Sequence, residues 1–405
     1  MTRYLNTSKR LFKSNFIFFA FSLFIIFLPN INNFIRTSFL ISMPKQLSIL
    51  AQTQWLGLVI EIAEAFLIVP IYYWLGRYKN NINELFSFVF YMLLVIFLII
   101  ILTLPTLSAF VNYDINGSYL FLGYECFNSL LKILYDFFIA FLFVKNAKKQ
   151  IAILIIIKFF IAALIDFTIL KNNLFEMAVY SVNISGFLSN FICLVWLISA
   201  YKIRLKKPNF MLFVSKNYIL AIEQAMNNLS YMFVILTVLN TINSSGEYYT
   251  AMGYFWGYFL TPLMAFAVII KKILAKQSLL KQKIFFVFLI DFVLIIFAIL
   301  SYFFMPQIAR FLLNANEQSI EIIKLLYPCY IAFILAFSIA SIFYALGWFK
   351  RSICINLLVN LAVFLPAFLN MQNDLEFVIN TFSKAIYLNL ASYLVVLFVS
   401  LKLSK

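Results

Sequence analysis

The sequence predicts an all-α polytopic membrane protein: twelve transmembrane helices in two six-helix lobes related by a parallel pseudo-two-fold repeat. Three observations carry this expectation. The 405 residues are 64% hydrophobic and only 11% charged, where a soluble domain has roughly 25% charged residues. Apolar runs of about 20 residues, enough to cross a hydrocarbon layer of about 30 Å, recur along the whole chain. Lysines and arginines gather at alternate ends of those runs, which is how loops facing the cytoplasm are marked.

The first span, 15–40, follows "MTRYLNTSKRLFKSNF". This flank is basic like a secretion signal, but the apolar run is longer than a signal's and no small-residue cleavage site follows. The second span, 48–75, contains "QWLGLVIEIAEAFLIVPIYYWLG", with Glu61 and Glu64 inside an otherwise greasy stretch. Spans follow at 85–108, 118–144 (with Lys132 and Asp136), 150–168 (with Lys158 and Asp166) and 177–200. The loop "YKIRLKKPNF" is the most basic and divides the chain into lobes 1–205 and 206–405. The second lobe reads 210–239 (with Glu223, Asn227 and Asn228), 249–270, 284–305, 320–346, 352–370 and 377–401. Basic clusters continue at Arg77 and Lys79, Lys145 to Lys149, Lys271 to Lys283, Lys350 and Arg351, and Lys402 and Lys405. Both termini are therefore expected in the cytoplasm, with the chain in the inner (cytoplasmic) membrane.

The halves rhyme. Span two ends "FLIVPIYYWLGRYKNN" and span eight "YFLTPLMAFAVIIKKI", each with a proline, Pro70 or Pro262, before a basic exit. Six spans per half keep both halves in one orientation, so the repeat axis runs along the membrane normal, and substrate is expected near the midplane between halves.

Charges inside spans cost about 2.5–3.5 kcal/mol on insertion scales and therefore mark partners or cavities. Glu61 and Glu64 lie three apart and share a helix face. Two close, desolvated carboxylates are suited to sharing one proton or to holding a cation with nearby amides; the bland alternative is that Arg36 neutralises one of them. Asp136 and Lys158, each about 12 Å from the cytoplasmic ends of their helices, are expected to form a structural ion pair, with Lys132 as a second partner one turn from Asp136. Asp166 is a candidate cavity-facing ligand. Asp291 is expected to reach the cytoplasmic interface beside Lys283 and to play no role. Glu223 with Asn227 and Asn228 can coordinate a hard cation through amide oxygens or hydrogen-bond a protonated carboxyl. Phe255, Trp256 and Tyr258 offer cation–π faces, though aromatics at span ends also serve as interfacial anchors.

Spans seven and eight, "AIEQAMNNLSYMFVILTVLNTINSSGEYYTAMGYFWGYFLTPLMAFAVIIKK", resemble the multidrug and toxic compound extrusion (MATE) family of the broader multidrug/oligosaccharidyl-lipid/polysaccharide exporter superfamily. "EAFLIVPIYYWLG" is similar to that family's second helix and "FYALGWFKRSICINLLVN" to its tenth-to-eleventh helix turn. The resemblance implies two lobes around a V-shaped cavity, with H⁺ or Na⁺ entry driving export of amphipathic organic molecules. It places the helix-seven coupling glutamate at Glu223. The helix-one aspartate does not carry over, since Arg36 stands about there, and span ten offers only Ser338 and Ser341. The expected partners are a small organic substrate, a coupling cation and the bilayer, with no cofactor and no nucleic acid, in a monomer. The alternative is a flippase for a lipid-linked oligosaccharide or other anionic lipid precursor, whose pyrophosphate would need Lys132, Lys158 and Arg36 unpaired in a basic cavity. A membrane enzyme is not expected: the chain has no histidine, and no HExxH or GxxxxGK pattern occurs.

Overall fold

The structure is a computed structural model that describes residues 2–71, 82–111, 118–145, 147–171, 175–242, 244–274 and 280–403. Arg77, Lys79, Lys276 and Lys405, expected topology markers, lie outside the described residues. Among those described there are helices and turns and no strand. In chain order the helices are α1 (Thr2–Leu40), α2 (Pro44–Gln52), α3 (Gln54–Leu67), α4 (Ile82–Val111), α5 (Ser118–Val144), α6 (Lys148–Lys171) and α7 (Ser181–Tyr201). Then come α8 (Phe210–Tyr231), α9 (Ser245–Tyr254), α10 (Thr261–Leu274), α11 (Leu280–Tyr302), α12 (Met305–Leu313), α13 (Glu317–Leu346), α14 (Phe349–Val359) and α15 (Leu375–Leu403). Among the described residues ten helices are long and apolar enough to cross a membrane, and the bent pair Ser245–Phe259 with Thr261–Lys271 makes eleven. The chain is a multi-pass membrane protein.

Local chemistry explains where these spans break. The expected span 48–75 is split into α2 and α3 at Thr53, whose hydroxyl bonds back to the carbonyls of Ile49 (2.8 Å) and Leu50 (3.1 Å), a bond that bends helices. It then turns at Ile68–Pro70 and runs into residues 72–81, outside those described. The 50° bend before α10 follows a π-helical turn, Phe255–Phe259, and Pro262, which has no N–H to continue the ladder. Similar π turns follow α8 at Met232–Leu236 and α14 at Asn360–Phe364. Such turns open a helix locally and recur at functional positions.

Packing groups the chain into two units, Ser42–Gly246, and Met1–Ile41 with Glu247–Lys405. These boundaries differ from the expected 205/206 division, because α1 packs within the same unit as the last spans and α8 within the same unit as spans two to six. Side-chain chemistry gives the reason. Asn30 of α1 donates to the Gly257 carbonyl (3.0 Å), and buried Phe34 lies over Gly257, where an added Cβ would come within 2.5 Å of its ring. In the other unit, α8 is tied to α3 by Asn217, which donates to the Phe66 carbonyl (3.0 Å). The core of the unit containing α10 to α15 is aromatic and branched aliphatic, with Phe266, Ile270, Val287, Ile342, Phe343 and Tyr393 at its centre.

Gly257 gives the first test. Gly257→Ala should lower stability by about 1–3 kcal/mol, the usual cost of overpacking a filled core, read as thermal unfolding of the purified protein. Adding Phe34→Leu should recover part of the loss. Unchanged stability in the single variant would mean that the α1 seam yields freely.

Candidate functional site

Within Ser42–Gly246 a seam between α3 and α8 holds Glu61. Its carboxylate accepts from Asn228 Nδ2 (2.9 Å) and Gln224 Nε2 (3.3 Å). Asn228 Nδ2 also donates to the Leu58 carbonyl (2.8 Å), and Gln224 donates to Asn228 Oδ1 (3.0 Å). Residues 217, 224 and 228 share one face of α8, since spacings of seven and four fall on one helical stripe. Asn227, the expected fellow ligand, is half-buried on the same helix, and Glu223 is buried inside the unit.

Glu64, one turn along α3, has a different partner. Lys132 Nζ of α5 lies 2.8 Å from Glu64 Oε1. The two glutamates therefore do not act as a matched pair: one is neutralised by an ammonium and the other is held by neutral amides. Among the described residues no basic group lies within ion-pair distance of Glu61; Lys132 acts on it only at longer range. Arg36 donates to Asn33 Oδ1 (3.2 Å) within its own helix.

The expected Asp136–Lys158 ion pair is not formed. Lys158 Nζ sits 4.2 Å from the centroid of the Tyr135 ring, and Lys132 turns to Glu64 instead. Adjacent residues on a helix are separated by about 100°, so Lys158 meets Tyr135 rather than Asp136. Both ammonium groups remain close enough to act on the Asp136 carboxylate. Asp166 is buried on α6 rather than open.

A second polar cluster was missed by sequence reasoning. Glu125 of α5 accepts from Asn183 Nδ2 of α7 (2.7 Å) and from Asn128 Nδ2 (3.1 Å), and Asn190 donates to Asn128 Oδ1 (3.1 Å). Gly186 permits this contact, since a Cβ there would fall 2.6 Å from the Asn128 amide. The signal was present in "ECFNSLLKILYD": Glu125, Asn128, Ser129, Lys132 and Asp136 form one polar stripe down α5.

In the other unit, the aromatic run divides by role. Phe255 is fully buried and stacks on Tyr330 (3.8 Å between centroids), so it is core. Trp256 packs edge-on against Phe333 and is 41% exposed, so its indole is the accessible face. Asp291, expected at an interface, is instead wholly buried on α11 and bound by Ser338 of α13 (2.6 Å).

No family model and no curated relative matches the sequence. Solved structures do. A multidrug resistance MATE family transporter in its inward-facing conformation is similar over 90% of this chain and 92% of its own, at 11% identity and a TM-score of 0.66. A mutant of the Vibrio cholerae MATE transporter VcmN is similar over 96% and 97%, at 13% identity and TM-score 0.66. The MATE multidrug transporter DinF-BH matches over 96% and 95%, at 16% identity and TM-score 0.66. This chain has the MATE fold. Glu223, which the resemblance matches to a coupling glutamate, lies on α8, and the carboxylate held by amides is Glu61 of α3.

Proposed function

We propose that this chain is a MATE-type membrane transporter and not an enzyme: a cation-coupled (H⁺ or Na⁺) antiporter that exports amphipathic organic molecules by alternating access between helical lobes. One observation carries the coupling. Glu61 sits near the middle of span two, held by neutral amides and without an ion pair among the described residues, while its neighbour Glu64 is neutralised by Lys132. An uncompensated mid-membrane carboxylate is costly, so a proton or Na⁺ is its natural counter-ion. The Asn228 and Gln224 amides can serve either: each presents an NH₂ to the bare carboxylate and an oxygen to a cation or to the acid proton. Because the same amides join α3 to α8, loading Glu61 changes the bonds that hold that seam.

In the unit Met1–Ile41 with Glu247–Lys405, Trp256 offers an accessible aromatic face for the exported molecule; in the unit Ser42–Gly246, Glu223 and Asn227 are polar groups that support the cation site. The basic clusters support a topology with both termini in the cytoplasm and the chain in the inner membrane. The flippase alternative calls for unpaired bases. Lys132 on Glu64 and Lys158 on the Tyr135 ring favour the antiporter.

The test is transport by the full chain in phospholipid vesicles, with H⁺ and Na⁺ gradients imposed separately. A fluorescent lipophilic cation should accumulate against its gradient when one of the two ion gradients is present, and equilibrate when it is collapsed. Accumulation indifferent to both gradients, or transbilayer movement of a lipid pyrophosphate instead, would overturn the proposal.

A further inference from the structure

Asp291 lies at the middle of α11, twelfth of its 23 residues, and is 0% exposed. Its Oδ1 accepts from the Ser338 hydroxyl at 2.6 Å, and its Oδ2 is buried with no hydrogen-bond partner. The surroundings are apolar: Val287 one turn before it on α11, and Ile339 and Ile342 on α13, are buried in the core of this unit. Helices α1, α10 and α13 pack against α11. Their charged residues with described side chains are Lys9, Arg10, Lys13 and Arg36 on α1, Lys271 on α10, and Glu317, Glu321 and Lys324 on α13; α11 itself adds Lys281 and Lys283. Among the described residues none lies within ion-pair distance of Asp291.

An ionised carboxylate is not tolerated in such a place with one hydroxyl as its whole compensation, whereas a neutral acid is. We infer that Asp291, with Ser338, is a proton-binding site in the unit Met1–Ile41 with Glu247–Lys405, separate from Glu61. The proton is taken from water and returned to water, and no other covalent bond changes. The packing between α11 and α13 seen here belongs to the loaded acid. Releasing the proton leaves a charge that must be reached by water, so the Asp291–Ser338 contact opens when the site empties. This does not depend on the coupling role of Glu61.

The experiment is pH-dependent infrared difference spectroscopy on the full chain in phospholipid vesicles, reading the carbonyl stretch of protonated carboxylic acids above the amide I band. The wild type should show such a band that disappears reversibly as pH is raised. Asp291→Asn should remove it, and Glu61→Gln should leave it in place. Ser338→Ala takes away the single hydrogen bond and should shift the band to higher frequency, which gives a readout if the Asp291 variant folds poorly. An unchanged band in Asp291→Asn would overturn the assignment. So would a band that is lost in Asp291→Asn but persists in the wild type at every pH, since that acid would be a fixed packing group.

Discussion

Glu61→Gln is expected to abolish gradient-driven accumulation while leaving the protein folded and expressed. Glutamine keeps the volume of the side chain, and Asn228 and Gln224 donate to the same oxygen of Glu61, Oε2, so an amide oxygen in that place still accepts from both. Turning these from charged into neutral hydrogen bonds costs about 1 kcal/mol each, too little to unfold a domain. The coupling loss is total because a neutral amide neither takes a proton nor attracts a cation. Downhill movement of the lipophilic cation should persist, which separates lost coupling from lost transport. Glu223→Gln, on the same helix as Asn228, should also lower gradient-driven transport. If Glu61→Gln retains accumulation at the wild-type level, this carboxylate is scaffolding and the coupling mechanism fails.

The second large effect concerns Lys132 and Glu64. Their side chains are 47% and 25% exposed, so the pair stands between a surface bridge, worth about 0–1 kcal/mol, and a buried one whose disruption costs about 3–5 kcal/mol. Lys132→Met alone should cost about 1–3 kcal/mol, because it strips Glu64 of its counter-charge and leaves Glu61 and Glu64 as two like charges one turn apart. Glu64→Gln alone leaves the ammonium at mid-membrane and should cost a similar amount. The double variant removes both charges and should recover most of the loss, in a double-mutant cycle read by thermal unfolding. Strictly additive losses would mean that the contact contributes nothing, and would leave Lys132 available to an anionic substrate as the flippase reading requires.

The polar residues were legible as a list and not as pairs. "GLVIEIAEAF" announces that two carboxylates lie in a span, and "EQAMNN" that amides lie in another. That the amides serve Glu61 and the ammonium serves Glu64 depends on which faces of α3, α5 and α8 meet. Glu125 belongs to a readable stripe on α5, but the cluster it forms depends on Asn183 and Asn190 of α7, which no pattern within α5 reveals. Asp291 was expected at the interface beside Lys283, whereas α11 begins at Leu280 and puts Asp291 at its centre.

Hydropathy and charge by themselves determined the class of this protein and the order of its spans, and named several of the ionisable residues inside them. These are properties of the chain measured against water and hydrocarbon, and they need no partner to be defined. The grouping of α1 with the last spans and of α8 with spans two to six was decided only in the tertiary structure. So were the neutralisation of Glu64, the amide cradle of Glu61, the stacking of Lys158 on Tyr135 and the burial of Asp291. Each depends on the rotation of one helix against another, and about 100° per residue turns a one-residue uncertainty in register into a different partner.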